Sequence, residues 1–396
     1  MSALERRLHQ RLQQRDEQLR SRQRYASTAR CQPHMQLVAG AQLCFASNDY
    51  LGLAGHPDLQ AAAVAALAQY GTGSGASHLI SGHHRTHAEL EEALAEFTGR
   101  PRALLFGSGY AANMGTINAL LGRGDLLLQD SLNHASLIDG GLLCRADSKR
   151  YRHADIDSAE RQLESHQRAG AVTVLATDGV FSMDGDCAPL AQLAALCQPR
   201  DVALMVDDAH GFGLLGESGG GLVEELGLSL EQVPILVGTL GKSFGSYGAF
   251  VAGSANLIEA LVQFSRSYIY TTAQPPAIAA ASLAALQLVR RDRWRRDHLK
   301  QLISYFRRAG EQLALPLMPS QTAIQPLLIG DEARLMAIDA QLRQRGLWVG
   351  AIRPPTVAEG SARLRITLTA AHSRSDVDQL LEALGELCSL SALARR

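Results

Sequence analysis

Lys242 stands in the run Val237-Gly-Thr-Leu-Gly-Lys-Ser-Phe-Gly245, just past a short apolar segment. The small residues around it leave room for a bulky covalent adduct on its amine. Earlier in the chain a second apolar segment ends in Val206-Asp207-Asp208-Ala209-His210-Gly211. A carboxylate at the end of a buried strand is placed to face a protonated ring nitrogen. A lysine that forms a Schiff base and a carboxylate that keeps a pyridine ring protonated are what pyridoxal 5′-phosphate (PLP) needs to act as an electron sink. Singly, the lysine reads equally well as a surface residue of a glycine loop, and the aspartate as a helix cap. Together, in this order, they point to PLP.

Such a site needs further groups. A flat ring must stack on the pyridine, and His134, in Asn133-His-Ala-Ser136 after an apolar run, supplies one. His210 and Ser182 are candidate donors to the ring hydroxyl. Thr239 and Ser108 are candidates for the phosphate oxygens. The segment 103–106 runs straight into Gly107-Ser-Gly-Tyr110 and a helical pattern, so glycines let the backbone approach an anion held at a helix N-terminus. The same residues spell Gly-x-Gly-x-x-Ala, with Asp130 about twenty residues on, a spacing that also fits a dinucleotide site. A nicotinamide-dependent dehydrogenase is therefore the rival reading, but it leaves Asp207 and Lys242 without work. The run Gly71-Thr-Gly-Ser-Gly75 follows a helical segment and is the weaker cup. Asp184 and Asp186 flank Gly185 and read as a turn rather than a paired-carboxylate site. Arg363 and Arg365 fall on one face of a strand, either towards solvent or as a clamp for a substrate carboxylate. Of the thirteen histidines, His83, His84 and His87 read as ordinary core or surface residues, and no metal site is expected.

The elements that must position these groups are short apolar runs at 103–106, 126–129, 172–176, 204–206 and 235–237. Helical patterns at 90–97, 110–121 and 190–197 separate many of them. Strand alternating with helix predicts a mainly parallel sheet covered on both faces, with ligands collecting at the strand ends. After a helical region around 277–311 the pattern changes. Strands at 323–329, 347–352 and 362–368 with helices at 332–345 and 376–387 predict a smaller α+β domain. The expected division is an N-terminal helical segment (1–45), a large α/β domain (46–285) and a small C-terminal domain (286–396). Leu4, Leu8 and Leu12 make a narrow stripe on the first helix, which is otherwise rich in arginine. That helix is expected to lie on the body of the protein with its arginines solvated. Attraction to an acidic partner such as an acyl carrier protein is the functional alternative.

Composition excludes several classes. A net charge of −1 with no basic patch argues against nucleic acid as a partner. Six scattered cysteines without a Cys-x-x-Cys pair fit neither a disulfide framework nor zinc. The longest apolar stretch, 277–289, is interrupted by Ser282 and Gln287 and is too short to span a membrane. With a charged N-terminus that lacks an apolar core, the expected location is the cytoplasm.

Six runs carry a family resemblance: Ser47-Asn-Asp-Tyr-Leu-Gly52, Gly71-Thr-Gly-Ser-Gly75, Asn133-His-Ala-Ser136, Gly179-Val-Phe-Ser-Met-Asp-Gly185, Asp207-Asp-Ala-His-Gly211 and Gly238-Thr-Leu-Gly-Lys242. With the C-terminal motifs they extend from about 47 to 368, and the chain resembles the α-oxoamine synthases. That resemblance implies the fold type I, aspartate-aminotransferase-like architecture, with a mainly parallel seven-stranded sheet in the large domain. Within the family, Ala351-Ile-Arg-Pro-Pro-Thr-Val357 followed by Ala362-Arg-Leu-Arg-Ile-Thr367 looks most like the branch that condenses L-alanine with a pimeloyl thioester of CoA or acyl carrier protein in biotin biosynthesis. The alternative is a branch that uses glycine or serine with another acyl-CoA.

The resemblance implies that Lys242 carries PLP covalently, that Asp207 partners the ring nitrogen and that His134 stacks on the ring. It implies Ser182 and His210 near the ring hydroxyl and Gly109, Tyr110 and Thr239 at the phosphate. Thr271 and Thr272 would reach the phosphate of a neighbouring subunit, which implies a homodimer. Arg22, Asn48, Thr356 and Arg365 match substrate-contacting positions, with Arg20 and Arg24 beside Arg22 as neighbours of the same type. Asp178 stands where many relatives have glutamate.

Overall fold

The computed structural model describes residues 1–38 and 40–393, with the side chains of 389–393 outside that description. The chain divides into two units. One contains residues 1–50, 183–185 and 297–396, and the other contains residues 51–182 and 186–296.

The first unit takes in both ends of the chain. Helix Ala3–Glu17 leads to strands β1 (His34–Leu37) and β2 (Gly40–Phe45). In the second unit lie β3 (Arg102–Phe106), β4 (Leu126–Asp130), β5 (Asp147–Tyr151), β6 (Thr173–Asp178), β7 (Ala203–Asp207), β8 (Ile235–Thr239) and β9 (Ala249–Gly253). Strands β10 (Ile324–Gly330), β11 (Leu347–Ile352) and β12 (Ala362–Thr367) complete the first unit, with helices Glu332–Gln344 and Arg374–Leu393.

Strands β3 to β9 form a seven-stranded sheet in the order β3-β9-β8-β7-β6-β4-β5. The pairings β8–β7, β7–β6, β6–β4 and β4–β5 are parallel, whereas β9 runs antiparallel to both β3 and β8. Because β9 alone is reversed, β3, β4, β6, β7 and β8 end on the same edge. The sheet is buried on both faces. Leu126, Leu128, Leu175, Leu204, Val206 and Leu236 belong to one apolar cluster, and Leu127, Val174, Ala176, Met205, Ile235 and Val237 to the other. Alternate residues therefore face two cores, which is why these strands read as unbroken apolar runs.

Two strands of this sheet do not show in the sequence pattern. Strand β5, Asp-Ser-Lys-Arg-Tyr, is a charged and largely exposed edge strand, the composition that discourages edge-to-edge association. Strand β9, Ala-Phe-Val-Ala-Gly, follows the glycine-rich lysine run and shares its small residues. The predicted helices at 110–121 and 190–197 are Gly109–Leu120 and Leu190–Cys197. The helical region around 277–311 breaks at Asp292 into Pro276–Arg291 and Arg293–Gln312.

In the other unit the sheet order is β1-β2-β11-β12-β10, and β2 pairs parallel to β11. The sheet thus joins strands from the two ends of the chain, a pairing that no local pattern announces. One expectation is corrected here. The Leu4, Leu8 and Leu12 side chains stay exposed, and helix Ala3–Glu17 has no buried residue. Among the described residues, no helix is long and apolar enough to cross a membrane.

Candidate active site

Strand ends on the shared sheet edge deliver the chemistry. A cavity of about 160 Å³ there is lined by Gly109, Tyr110, His134, Asp178, Val180, Asp207, Ala209, His210, Thr239 and Lys242. Each residue has a simple origin. Gly109 and Tyr110 begin the helix after β3, and His134 follows β4. Asp178 ends β6, while Asp207 ends β7 and is followed by Ala209 and His210. Thr239 ends β8, and Lys242 sits in the β8–β9 connection.

Asp207 is 6% exposed, and each of its oxygens is held. Oδ1 accepts from the Ala209 amide at 3.0 Å, and Oδ2 accepts from Asn113 Nδ2 at 2.5 Å. Asn113 also donates to Ser136 Oγ at 2.8 Å. Sequence reasoning passed over Asn113, a fully buried polar residue on helix Gly109–Leu120. Its signal was available, because an amide facing the core of an apolar helix needs a partner.

His134 caps the helix Ala135–Leu143. Its Nδ1 lies 2.7 Å from Ser136 Oγ, and its amide donates to Asp178 Oδ2 at 3.1 Å, so the ring and its backbone are both fixed. Burial lowers the His134 pKa from its ordinary value; the Asp207 charge opposes this and Lys242 adds to it. Asp178 is wholly buried, and burial first, then the charge of Asp207, holds it well above the usual carboxylate range.

The next residue after Asp207 is locked differently. A Cβ added to Gly179, Gly211 or Gly221 would lie 2.8, 2.1 or 2.0 Å from a carboxylate oxygen of Asp208. Glycines thus let three backbone segments close around this carboxylate, which accepts from the Leu222 amide at 2.6 Å. Burial pushes Asp208 up to about 8. The residue anchors the Asp207–His210 corner from behind.

At the other end of the pocket, Ser108 caps helix Gly109–Leu120 by accepting from the Ala111 amide at 3.1 Å. An added Cβ on Gly107 or Gly109 would meet nothing within 4 Å, so open space lies in front of the helix start. Thr239 Oγ1 donates to the Gly248 carbonyl at 3.1 Å and accepts from the Gly241 amide at 3.3 Å. Anion-seeking amides, a hydroxyl, a stackable imidazole, a carboxylate and a lysine together form a donor set that fits PLP.

Four predicted cofactor residues are not in the cavity lining. Ser108 acts as the helix cap, and Ser182 is half-buried just past Val180 and Phe181. Thr271 and Thr272 are exposed beyond the short helix Arg266–Ile269.

Among the predicted substrate residues, all in the first unit, Arg365 and Asn48 are brought together. Arg365 is buried, donating from Nη2 to Asn48 Oδ1 at 3.2 Å and from Nη1 to Thr367 Oγ1 at 2.9 Å. Arg22 and Thr356 are exposed. Arg20 pairs with Glu332 at 2.7 Å and Glu359 at 2.8 Å, which occupies its guanidinium in the fold. Arg363 differs from its neighbour two residues on. It is buried and ion-paired to Asp184, with Nε donating to the Ser361 carbonyl at 3.0 Å. The arginine pair does not face solvent, and the two differ in partner: Arg363 is paired to a carboxylate, whereas Arg365 donates to the neutral oxygens of Asn48 and Thr367.

His78, His83 and His87 bring imidazole nitrogens within 4.8 Å of one another. Four of their six ring nitrogens already take part in hydrogen bonds. His87 Nδ1 accepts from the His84 amide at 2.9 Å, so its Nε2 carries the proton and donates to the Gln274 carbonyl at 2.8 Å. His78 and His83 share a bond between their Nδ1 atoms at 2.8 Å. Burial lowers His78 to about 3 and His87 to about 4, as expected of neutral imidazoles in a core.

Residues 41–384 match the family described as aminotransferase class I and II. The 8-amino-7-oxononanoate synthase of Pseudomonas entomophila strain L48 is 60% identical over 353 residues, covering 89% of this chain and 90% of that one. Among solved structures, a serine palmitoyltransferase of Sphingomonas wittichii superposes with a TM-score of 0.92 at 30% identity, over 99% of this chain and 98% of that one. The 8-amino-7-oxononanoate synthase of Francisella tularensis gives a TM-score of 0.77 at 30% identity, over 89% of this chain and 99% of its own.

Proposed function

The chain belongs to the aminotransferase class I and II family and, within it, to the 8-amino-7-oxononanoate synthases, and from that premise we propose how its residues divide the work. The reaction is the decarboxylating condensation of L-alanine with a pimeloyl thioester, which yields 8-amino-7-oxononanoate, CO2 and a free thiol in biotin biosynthesis. The family is PLP-dependent. Bound PLP supplies the electron sink that stabilises negative charge at the substrate Cα and again during loss of CO2.

In this proposal Lys242 would hold the cofactor through its amine, and the same amine would serve as the base for the proton on the substrate Cα. Asp207 holds the ring nitrogen protonated, and its two anchored oxygens support that role. His134 stacks on the ring and orients the thioester carbonyl. Gly109, Tyr110, Thr239 and Ser108 serve the phosphate, and His210 and Ser182 the ring hydroxyl. Arg365, with Asn48, receives a substrate carboxylate, and we assign Arg22 and Thr356 to the same substrate. Of the three neighbouring arginines, the pairing of Arg20 with Glu332 and Glu359 disfavours Arg20 for this role.

Thr271 and Thr272 are exposed, which supports their reaching a neighbouring subunit's phosphate in a homodimer. The arginine-rich helix Ala3–Glu17 suits an acidic acyl carrier protein as thioester donor. We place the reaction in the cytoplasm, where CoA and carrier-protein thioesters are available.

The observation that carries the proposal is the convergence of Lys242, Asp207 and His134 in one cavity with a helix N-terminus. Lys242→Ala is expected to bind PLP without a covalent link and to lose turnover almost completely. Full activity in that variant would remove Lys242 from the mechanism. The use of alanine, rather than glycine or serine, rests on identities of 56–60% to several synthases of this branch over about nine-tenths of the chain.

A further inference from the structure

We propose that His153 is a positioning residue that fixes both loops presenting His134 and Ser182 to the cofactor, a role that rests on reading those two residues as cofactor contacts. His153 follows β5 and lies edge-on to Phe181, with ring centroids 4.4 Å apart at 87°. Its two ring nitrogens reach two carboxylates: Nδ1 is 3.0 Å from Asp130 Oδ1, and Nε2 is 2.8 Å from Asp186 Oδ2. Both nitrogens therefore donate, and the ring is an imidazolium. Burial opposes that charge, but the hydrogen bonds to Asp130 and Asp186 and their charges outweigh it, so His153 is raised to about 10.

Each carboxylate opens a path to a pocket residue. Asp130 ends β4 and is 1% exposed. It accepts from the Leu132 amide at 2.8 Å through the oxygen that faces His153, and from the Ala154 amide at 2.8 Å through the other. These bonds set the turn that carries Asn133. The Asn133 side chain donates to the Ala176 carbonyl at 2.8 Å and accepts from the Asp178 amide at 3.1 Å. The Asp178 carboxylate then takes the His134 amide at 3.1 Å. On the other side, the Asp186 carbonyl accepts from the Phe181 amide at 2.9 Å, and the bridge Val180–Cys187 closes the loop that contains Ser182. One imidazolium thus ties the end of β4 to the loop after β6.

Without it, two carboxylates face each other with no cation between them, and repulsion would part the loops. His153 is not among the residues that line the cavity, so its effect has to pass through the loops it holds.

The experiment compares wild type, His153→Gln and Asp186→Asn as full-length apoproteins titrated with PLP. Cofactor affinity is read from visible absorbance, ring orientation from visible circular dichroism, and folding from thermal melts. His153→Gln, folded, is expected to bind PLP at least about tenfold more weakly and with a diminished dichroic band, the loss of one or two charge-assisted hydrogen bonds. Asp186→Asn keeps the Asp130 arm and is expected to fall between that variant and wild type. It carries the test alone if His153→Gln fails to fold. Wild-type affinity and dichroism in the folded variants would overturn the positioning role. If wild type itself gives no PLP band, the reading of the pocket fails first, and the two failures are thereby told apart.

Discussion

Asn113→Ala separates fold from function at Asp207. Asn113 donates to Asp207 Oδ2 at 2.5 Å and to Ser136 Oγ at 2.8 Å, and it is fully buried. A hydrogen bond to a charged group contributes about 1.5–3 kcal/mol and one to a neutral hydroxyl about 0.5–1.5 kcal/mol. The Asn113 carbonyl oxygen, however, is buried without a hydrogen-bond partner. Deleting it returns about 1–3 kcal/mol of desolvation cost, so the net loss of stability is only about 1–2 kcal/mol. No such return exists at Asp207, which is left with the Ala209 amide alone. If the bond aligns the carboxylate for the ring nitrogen, kcat/KM falls by about 10- to 100-fold, the same 1.5–3 kcal/mol expressed as a rate. Steady-state kinetics, PLP titration and a thermal melt on one preparation measure all three quantities. A folded variant with wild-type kcat/KM and PLP affinity would refute the claim that Asn113 sets Asp207.

Other consequences follow from neighbouring geometry. Arg365→Lys removes the planar fork that spans Asn48 and Thr367, so KM for a carboxylate substrate is expected to rise about tenfold or more. Arg363→Gln breaks a buried pair with Asp184 and is expected to lower Tm while leaving KM near wild type; the opposite pattern in the two variants would reverse their assignments. Gly245→Ala places a Cβ 2.2 Å from the Ala54 amide nitrogen at a φ of +59°, and is expected to cost more than about 2 kcal/mol in urea unfolding. An unchanged midpoint would mean that the Lys242 loop tolerates strain there.

Acid should act through buried histidines. His78, His87 and His372 are lowered, chiefly by burial, to about 3, 4 and 4. Below the ordinary value of 6.5 the unfolded chain binds protons that the folded chain refuses. Stability is then complete above about pH 6.5 and falls towards pH 4, by at most about 1.4 kcal/mol per group per pH unit. Urea unfolding at pH 7, 6 and 5 measures this, and a flat profile would contradict it.

The pocket was legible because its residues sit at the ends of apolar strands buried on both faces. Those strands mark themselves by composition, and the residues that follow them become the edge of the sheet. Lys242, Asp207, His134, His210 and Thr239 all fall in that class. What escaped were features decided by distant partners. Strand β5 is polar because it is an edge, and β2 finds β11 across most of the chain length. Arg363 and Arg365 share a strand face, and only the remote Asp184 and Asn48 distinguish them. Asn113 looked like one more helix residue until Asp207 lay 2.5 Å from its amide.

Product identity decides which condensation this enzyme performs. Purified protein with PLP is given a pimeloyl thioester and L-alanine, glycine or L-serine, and the amino ketone and CO2 are quantified by mass spectrometry. 8-Amino-7-oxononanoate is expected from alanine, with glycine and serine slower by about tenfold or more, the discrimination expected for a one-carbon or one-hydroxyl difference. Faster condensation with glycine or serine, or product formed equally well by Lys242→Ala, would contradict it.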